Sequence, residues 1–155
     1  MEMEEIQYIY YESGYNVLGI DKENTEELIR NKLTIDENKN FAFIQSRFEE
    51  IATLPSSDLV ISMFSLPFCE PSKFSNVWET ISNSINPSGY FVGNFFGKND
   101  EWYGNKNMTF CDLLEVKSML EQFEVININE KEYDKKTALG KLKHWDVIEV
   151  FARLV

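Results

Sequence analysis

Between Asp58 and Phe96 the chain reads "DLVISMF", then an amphipathic stretch, then "YFVGNFF". No other stretch constrains the fold as much. The first run (Asp58 to Phe64) is continuously apolar, as suits a parallel strand covered on both faces. Pro71 then fits a first helical turn. Phe74, Val77 or Trp78, Ile81 and Ile85 form a stripe of 3.6-residue period. "NPSG" (Asn86 to Gly89) supplies turn chemistry ahead of the second run, Tyr90 to Phe96.

The same alternation extends in both directions. Ile6, Ile9 and Tyr10 fall at helical spacing, and Gly14 is placed to stop that helix. "YNVLGI" follows as a strand. Asn24 with Glu27 resembles a capping box and predicts a helix through about Leu33. "FAFIQS" (Phe41 to Ser46) is the next strand, too apolar on both faces for a half-solvated edge. Asp112 and Glu115 predict a second capping box, ahead of a helix carrying Val116, Leu120 and Phe123. "EVININEKEY" and "HWDVIEVFARL" close the chain as strands joined by a polar loop containing Gly140. With no helix between them they are antiparallel neighbours. The expected order is α-β-α-β-β-α-β-α-β-β, an α/β layered domain.

A chain of 155 residues suits one domain with a real core, and 43% hydrophobic residues is a globular composition. The formal charge of −11 repels phosphate backbones and anionic lipid, so nucleic acid and membranes are not expected partners. The apolar runs are strand-sized, well short of the ~20 residues that span a bilayer. "MEMEEIQ" lacks the basic-then-apolar layout of a signal peptide, which gives a cytoplasmic expectation. Cys69 and Cys111 form no CxxC pair and read as buried thiols. With one histidine besides, no metal site is expected.

"GYNVLGID", "DLVISMFSLPFC", "INPSGYFVGNFFGKNDEW" and "GKLKHWDVIEVFARL", in that order, resemble the class I S-adenosylmethionine-dependent methyltransferases. More narrowly, they resemble the small bacterial branch of tellurite-resistance-type and generic methyltransferases. The resemblance covers nearly the whole chain and implies a single methyltransferase-like domain over residues 1–155. It implies a Rossmann-like sheet of order 3-2-1-4-5-7-6, mostly parallel with a C-terminal antiparallel hairpin and ligands at the carboxyl ends of the strands. It also implies S-adenosylmethionine as cofactor and a small-molecule methyl acceptor.

In the family a first strand and a glycine-rich loop precede the first helix. In this sequence that helix comes first, so the first strand and its loop are missing and the domain is truncated relative to the family. Three arrangements are open. Family strand 2 closes up against strand 4, another chain fills the slot and favours a homo-oligomer, or the reading frame starts upstream. The intact pattern downstream favours the last.

Methyl transfer from a sulfonium needs alignment and exclusion of water more than a catalytic dyad. The resemblance puts Asp21 on the ribose hydroxyls; the alternative is an acid favoured by the dipole of the next helix. Lys22 flanks the adenine or is simply solvated. Ser46, Arg47 and Phe48 occupy the adenine turn, where many relatives carry an acid that this chain lacks. The alternative there is a core Phe48 beside a surface Arg47. Phe64 and Ser65 would touch the cofactor, with Leu66 and Phe68 walling the pocket. "GNFFGKNDEWYG" (Gly93 to Gly104) is too long and aromatic for a plain connection. Its Asn94, Trp102 and Tyr103 are expected to shape an acceptor site or lid. His144, the only histidine, is a candidate general base, although a histidine at a strand start is commonly structural. Asp146 stands where relatives often carry a second histidine. The alternative function is a non-catalytic remnant of this fold, acting as a binding or interaction module.

Overall fold

The structure, a computed structural model, describes residues 14–155. The helix predicted around Ile6, Ile9 and Tyr10 lies outside the described residues. Gly14 has φ +80°, the left-handed conformation expected of a residue that stops a helix. The chain divides into two compact units, residues 1–51 and 52–155.

In the first unit β1 (Val17–Asp21) and β2 (Phe41–Gln45) pair in parallel, Val17 opposite Phe41 through Asp21 opposite Gln45. Between them run α1 (Glu26–Arg30) and α2 (Ile35–Lys39), where the sequence predicted one helix. The capping box belongs to α2 and not to Asn24. Thr34 Oγ1 accepts from the Glu37 N–H at 3.2 Å, and the Thr34 N–H donates to Glu37 Oε2 at 2.7 Å. Thr25, the N-cap of α1, makes no side-chain cap bond. Two orphan N–H groups satisfied at Thr34 favour a fresh helix start there over one continuous helix.

Ile29 and Phe41 form the buried core of this unit, with Val17, Leu33 and Phe43 packed against them. The expectation that β2 is covered on both faces is corrected. Ala42 and Gln45 are exposed and Ile44 is 43% exposed. β2 has one pairing partner among the described strands, and only Phe41 and Phe43 turn toward the small core.

The second unit carries β3 (Ser57–Ser62), β4 (Ile85–Phe96), β5 (Phe123–Lys136) and β6 (Leu142–Leu154), in the sheet order β3-β4-β6-β5. β3 and β4 are parallel and joined through α3 (Pro71–Ser84); β4–β6 and β5–β6 are antiparallel. Both the parallel pair and the C-terminal hairpin therefore match the sequence reading. On α3, Phe74, Val77 and Ile81 are buried. Trp78 also turns inward, edge-on to Phe91 at 5.0 Å, with Nε1 donating to the Met119 carbonyl.

The "NPSG" turn sits inside β4 as an irregularity. Ser57 pairs with Ile85 and Leu59 with Tyr90, so the extra residues bulge out, Ser88 at φ +67°. α4 (Leu113–Met119) opens on the predicted Asp112–Glu115 capping box. Alternation along β4 puts Phe91 and Phe95 on the face that α3 covers. Phe74 and Trp78 meet Phe95 there. Asn94 and Phe96 belong to the opposite face. Among the described residues no helix is long and apolar enough to cross a membrane.

Candidate functional site

In the first unit, parallel pairing brings Asp21, Lys22 and Ser46 together at the carboxyl ends of β1 and β2. The Ser46 N–H donates to the Asp21 carbonyl at 2.9 Å, and Gln45 Nε2 donates to the Lys22 carbonyl at 3.2 Å. Asp21 is half-buried, and its Oδ1 accepts from the Glu23 N–H at 2.9 Å, closing a local turn. A carboxylate has further lone pairs for hydroxyl donors. Arg47 is exposed and immediately precedes the 3₁₀ turn Phe48–Glu50, in which Phe48 is half-buried.

In the second unit the carboxyl ends of β3 and β4 carry the most unusual backbone of the sheet. Phe64 has φ +50°, a conformation costly for a bulky residue. Its N–H donates to Asn94 Oδ1 at 2.8 Å. Asn94 is fully buried, and its Nδ2 has no partner among the described residues. Beside this turn the Ser62 and Ser65 hydroxyls meet at 2.8 Å. The 3₁₀ turn Leu66–Phe68 follows, with Leu66 buried.

Rings complete the wall. Phe64 lies 6.0 Å from Phe96 and 5.9 Å from Trp145, and Phe68 lies 6.2 Å from Trp102. Phe64, Ser65, Leu66, Phe68, Asn94 and Trp102 thus belong to one neighbourhood. Tyr103 contributes instead to a cleft of about 290 Å³ with Pro71, Lys98, Met108, Thr109 and Phe110. At its rim, hydrogen bonds to Glu115 and Asp112 hold Lys98 well above the ordinary lysine range.

The segment after β4, expected as an acceptor loop or lid, is anchored. Lys143 Nζ donates to Asp100 Oδ1 and Oδ2 at 2.7 and 2.6 Å, both residues being almost fully buried. The ammonium stands over three rings, 3.7 Å from the centroid of Trp145, 4.2 Å from Trp102 and 5.2 Å from Phe96. The Gly97 N–H donates to the Asp146 carbonyl, the Asn99 N–H to Asp146 Oδ2, and the Glu101 N–H to the His144 carbonyl. Gly97 is required here, since a Cβ would run into the Asp146 carboxylate.

Sequence reading overlooked Lys143 and Asp100. The available signal was the lysine of "KHW", next to aromatic residues at the start of an apolar strand. Both ring nitrogens of His144 are engaged: Nδ1 with Asp134 Oδ1 at 2.7 Å and Nε2 with Glu132 Oε1 at 3.0 Å. Those carboxylates, Glu132 first, raise the imidazole above its ordinary pKa. A proton-abstracting role would have to displace one of them. Cys69 and Cys111 are buried and not joined in a disulfide, and burial pushes the Cys111 thiol up to about 12. Among the described residues no group of three His, Cys, Asp or Glu is arranged to hold a metal ion.

No protein-family model and no curated protein sequence matches the chain. Solved structures do. TehB from Haemophilus influenzae matches with TM-score 0.75 and 17% identity, over 92% of this chain and 51% of TehB. An S-adenosylmethionine-dependent methyltransferase from Methanosarcina mazei matches at 0.66 and 17% identity, over 96% of this chain and 86% of that one. The N-methyltransferase NodS from Bradyrhizobium japonicum, solved with S-adenosyl-L-homocysteine, matches at 0.56 and 10% identity, over 96% and 84%. The chain has the class I S-adenosylmethionine-dependent methyltransferase fold. It spans about half the length of TehB.

Proposed function

We propose that the chain serves S-adenosylmethionine-dependent methyl transfer to a small-molecule acceptor. The observation that carries this reading is the left-handed turn at Phe64, pinned by a buried Asn94 at the carboxyl end of a methyltransferase-ordered sheet. Ligands of such sheets bind at that end. When bound, S-adenosylmethionine supplies the electrophilic methyl group. Asp21 accepts the ribose hydroxyls, and Lys22, Ser46, Arg47 and Phe48 flank the adenine. Phe64 and Ser65 line the methyl-donor side, Leu66 and Phe68 wall the pocket, and Asn94 and Trp102 shape the acceptor site, while Tyr103 stands apart in its own cleft. The net charge of −11 favours a small molecule over nucleic acid as partner.

These residues fit the nucleoside half of the cofactor. The methionine end calls for backbone amides of a glycine-rich loop, and the described residues contain no such cradle. Calorimetry with S-adenosylhomocysteine is therefore expected to give binding weaker than micromolar, reduced further in Asp21→Ala. Micromolar affinity would mean that another element replaces the loop. No binding even in a chain extended by a strand and a glycine-rich loop would end the methyltransferase reading. A non-catalytic binding module of the same fold would then remain, a reading favoured by the described strands forming two sheets and not one.

A further inference from the structure

One face of the β5–β6 hairpin carries a network that none of these roles uses. Side chains two residues apart share a face of a strand. Glu130, Glu132 and Asp134 of β5 therefore line up with His144 and Asp146 of β6, Asp134 opposite His144 and Glu132 opposite Asp146. His144 bridges Asp134 and Glu132, and Asn99 Nδ2 reaches Glu132 Oε2 at 3.4 Å. The backbone of Asn99 donates in turn to Asp146 Oδ2. The other oxygen, Asp146 Oδ1, is buried without an N–H or O–H donor among the described residues.

Burial, then the charge of Asp146, raises the Glu130 carboxyl above the usual carboxylate range.

We propose that this face is a proton-operated latch, which fastens the Gly97–Trp102 segment to the hairpin through Asn99 and Glu132 while the His144 imidazole is doubly protonated, and loosens as that proton leaves. A group whose pKa is raised on folding contributes stability below its unfolded value and loses it as pH rises through the folded one. His144 is raised from 6.5 and Glu130 from 4.5, so the latch weakens as pH rises. A neutral imidazole has one N–H to share between two carboxylates. An ionised Glu130 adds a charge beside Asp146 and Glu132, with Asp112 also contributing.

Among the described residues no nearby cation offsets this. Lys98 is committed to Asp112 and Glu115, Lys131 to Glu149, and Lys143 to Asp100. The segment in question holds Asp100 and Trp102, so the latch bears on the ring cluster around Lys143. It does not depend on the methyltransferase reading.

His144 is the only histidine, so its imidazole resonances are unambiguous in an NMR titration. The expected midpoint lies above 6.5 and falls in the surface substitutions Glu132→Gln and Asp134→Asn. The latch itself is read from amide exchange at Asn99 and Glu101, corrected for base catalysis. Their protection should drop several-fold across the His144 titration, while Phe91 and Phe95 stay unchanged, and the drop should move with the midpoint in Glu132→Gln. A midpoint at or below 6.5, or protection of Asn99 and Glu101 that ignores the titration, overturns the latch.

Discussion

Each unit contains a pair of parallel strands, and each finishes it differently. β1 and β2 have two short helices and a core of Ile29 and Phe41. β3 and β4 have a 14-residue helix on one face and are extended by a long antiparallel hairpin, so that Phe91, Phe95, Phe96 and Ile148 are fully buried. Two strands on their own are marginal in water; further strands or a packed helix confer independent stability. Parallel strand sequences thus become a self-sufficient sheet in residues 52–155 and a thin one in residues 14–51.

The largest expected effect lies in the better-finished unit. Asp100→Ala strands the Lys143 ammonium in a dry ring cluster and should cost about 3–5 kcal/mol in denaturant unfolding. Replacing both partners, Asp100→Leu with Lys143→Met, should recover most of that. A single substitution as mild as the double one would mean that the cluster is wet. Gly97→Ala drives a methyl group into the Asp146 carboxylate and should cost about 1–3 kcal/mol, seen as a lower melting temperature.

Thr34→Ala removes the α2 capping box and should cost about 1 kcal/mol. Its mark should be faster amide exchange confined to residues 14–51; a spread into β4 or β6 would blur the contrast between the units. The smallest effect is a null. With its thiol pushed up to about 12, Cys111 should resist alkylation at pH 8 until the protein is denatured, as mass spectrometry would record.

Element types were readable because hydrophobic period and cap chemistry agreed. Asp112 and Glu115 stand directly ahead of Val116 and its helix, and that box formed as expected. Asn24 and Glu27 had the same spacing, but Thr34 and Glu37 compete nearby and nucleate their own helix. "FAFIQS" was misjudged because period and composition report what a strand needs covered, not whether a neighbour covers it. Residues from Phe64 to Phe68 were picked out by resemblance and do gather with Asn94 and Trp102. Lys143 and Asp100 were passed over because a lysine in a strand ordinarily points to water. Only folding across 43 residues pairs it with its acid.

The buried ammonium also makes the protein self-reporting. Two of its three tryptophans, Trp102 and Trp145, carry that positive charge against their ring faces, whereas Trp78 projects from α3 onto Phe91. Indole emission responds to a local electric field. The intrinsic fluorescence of the untouched protein should therefore shift whenever Lys143 leaves its place, a built-in optical gauge of this corner of the sheet.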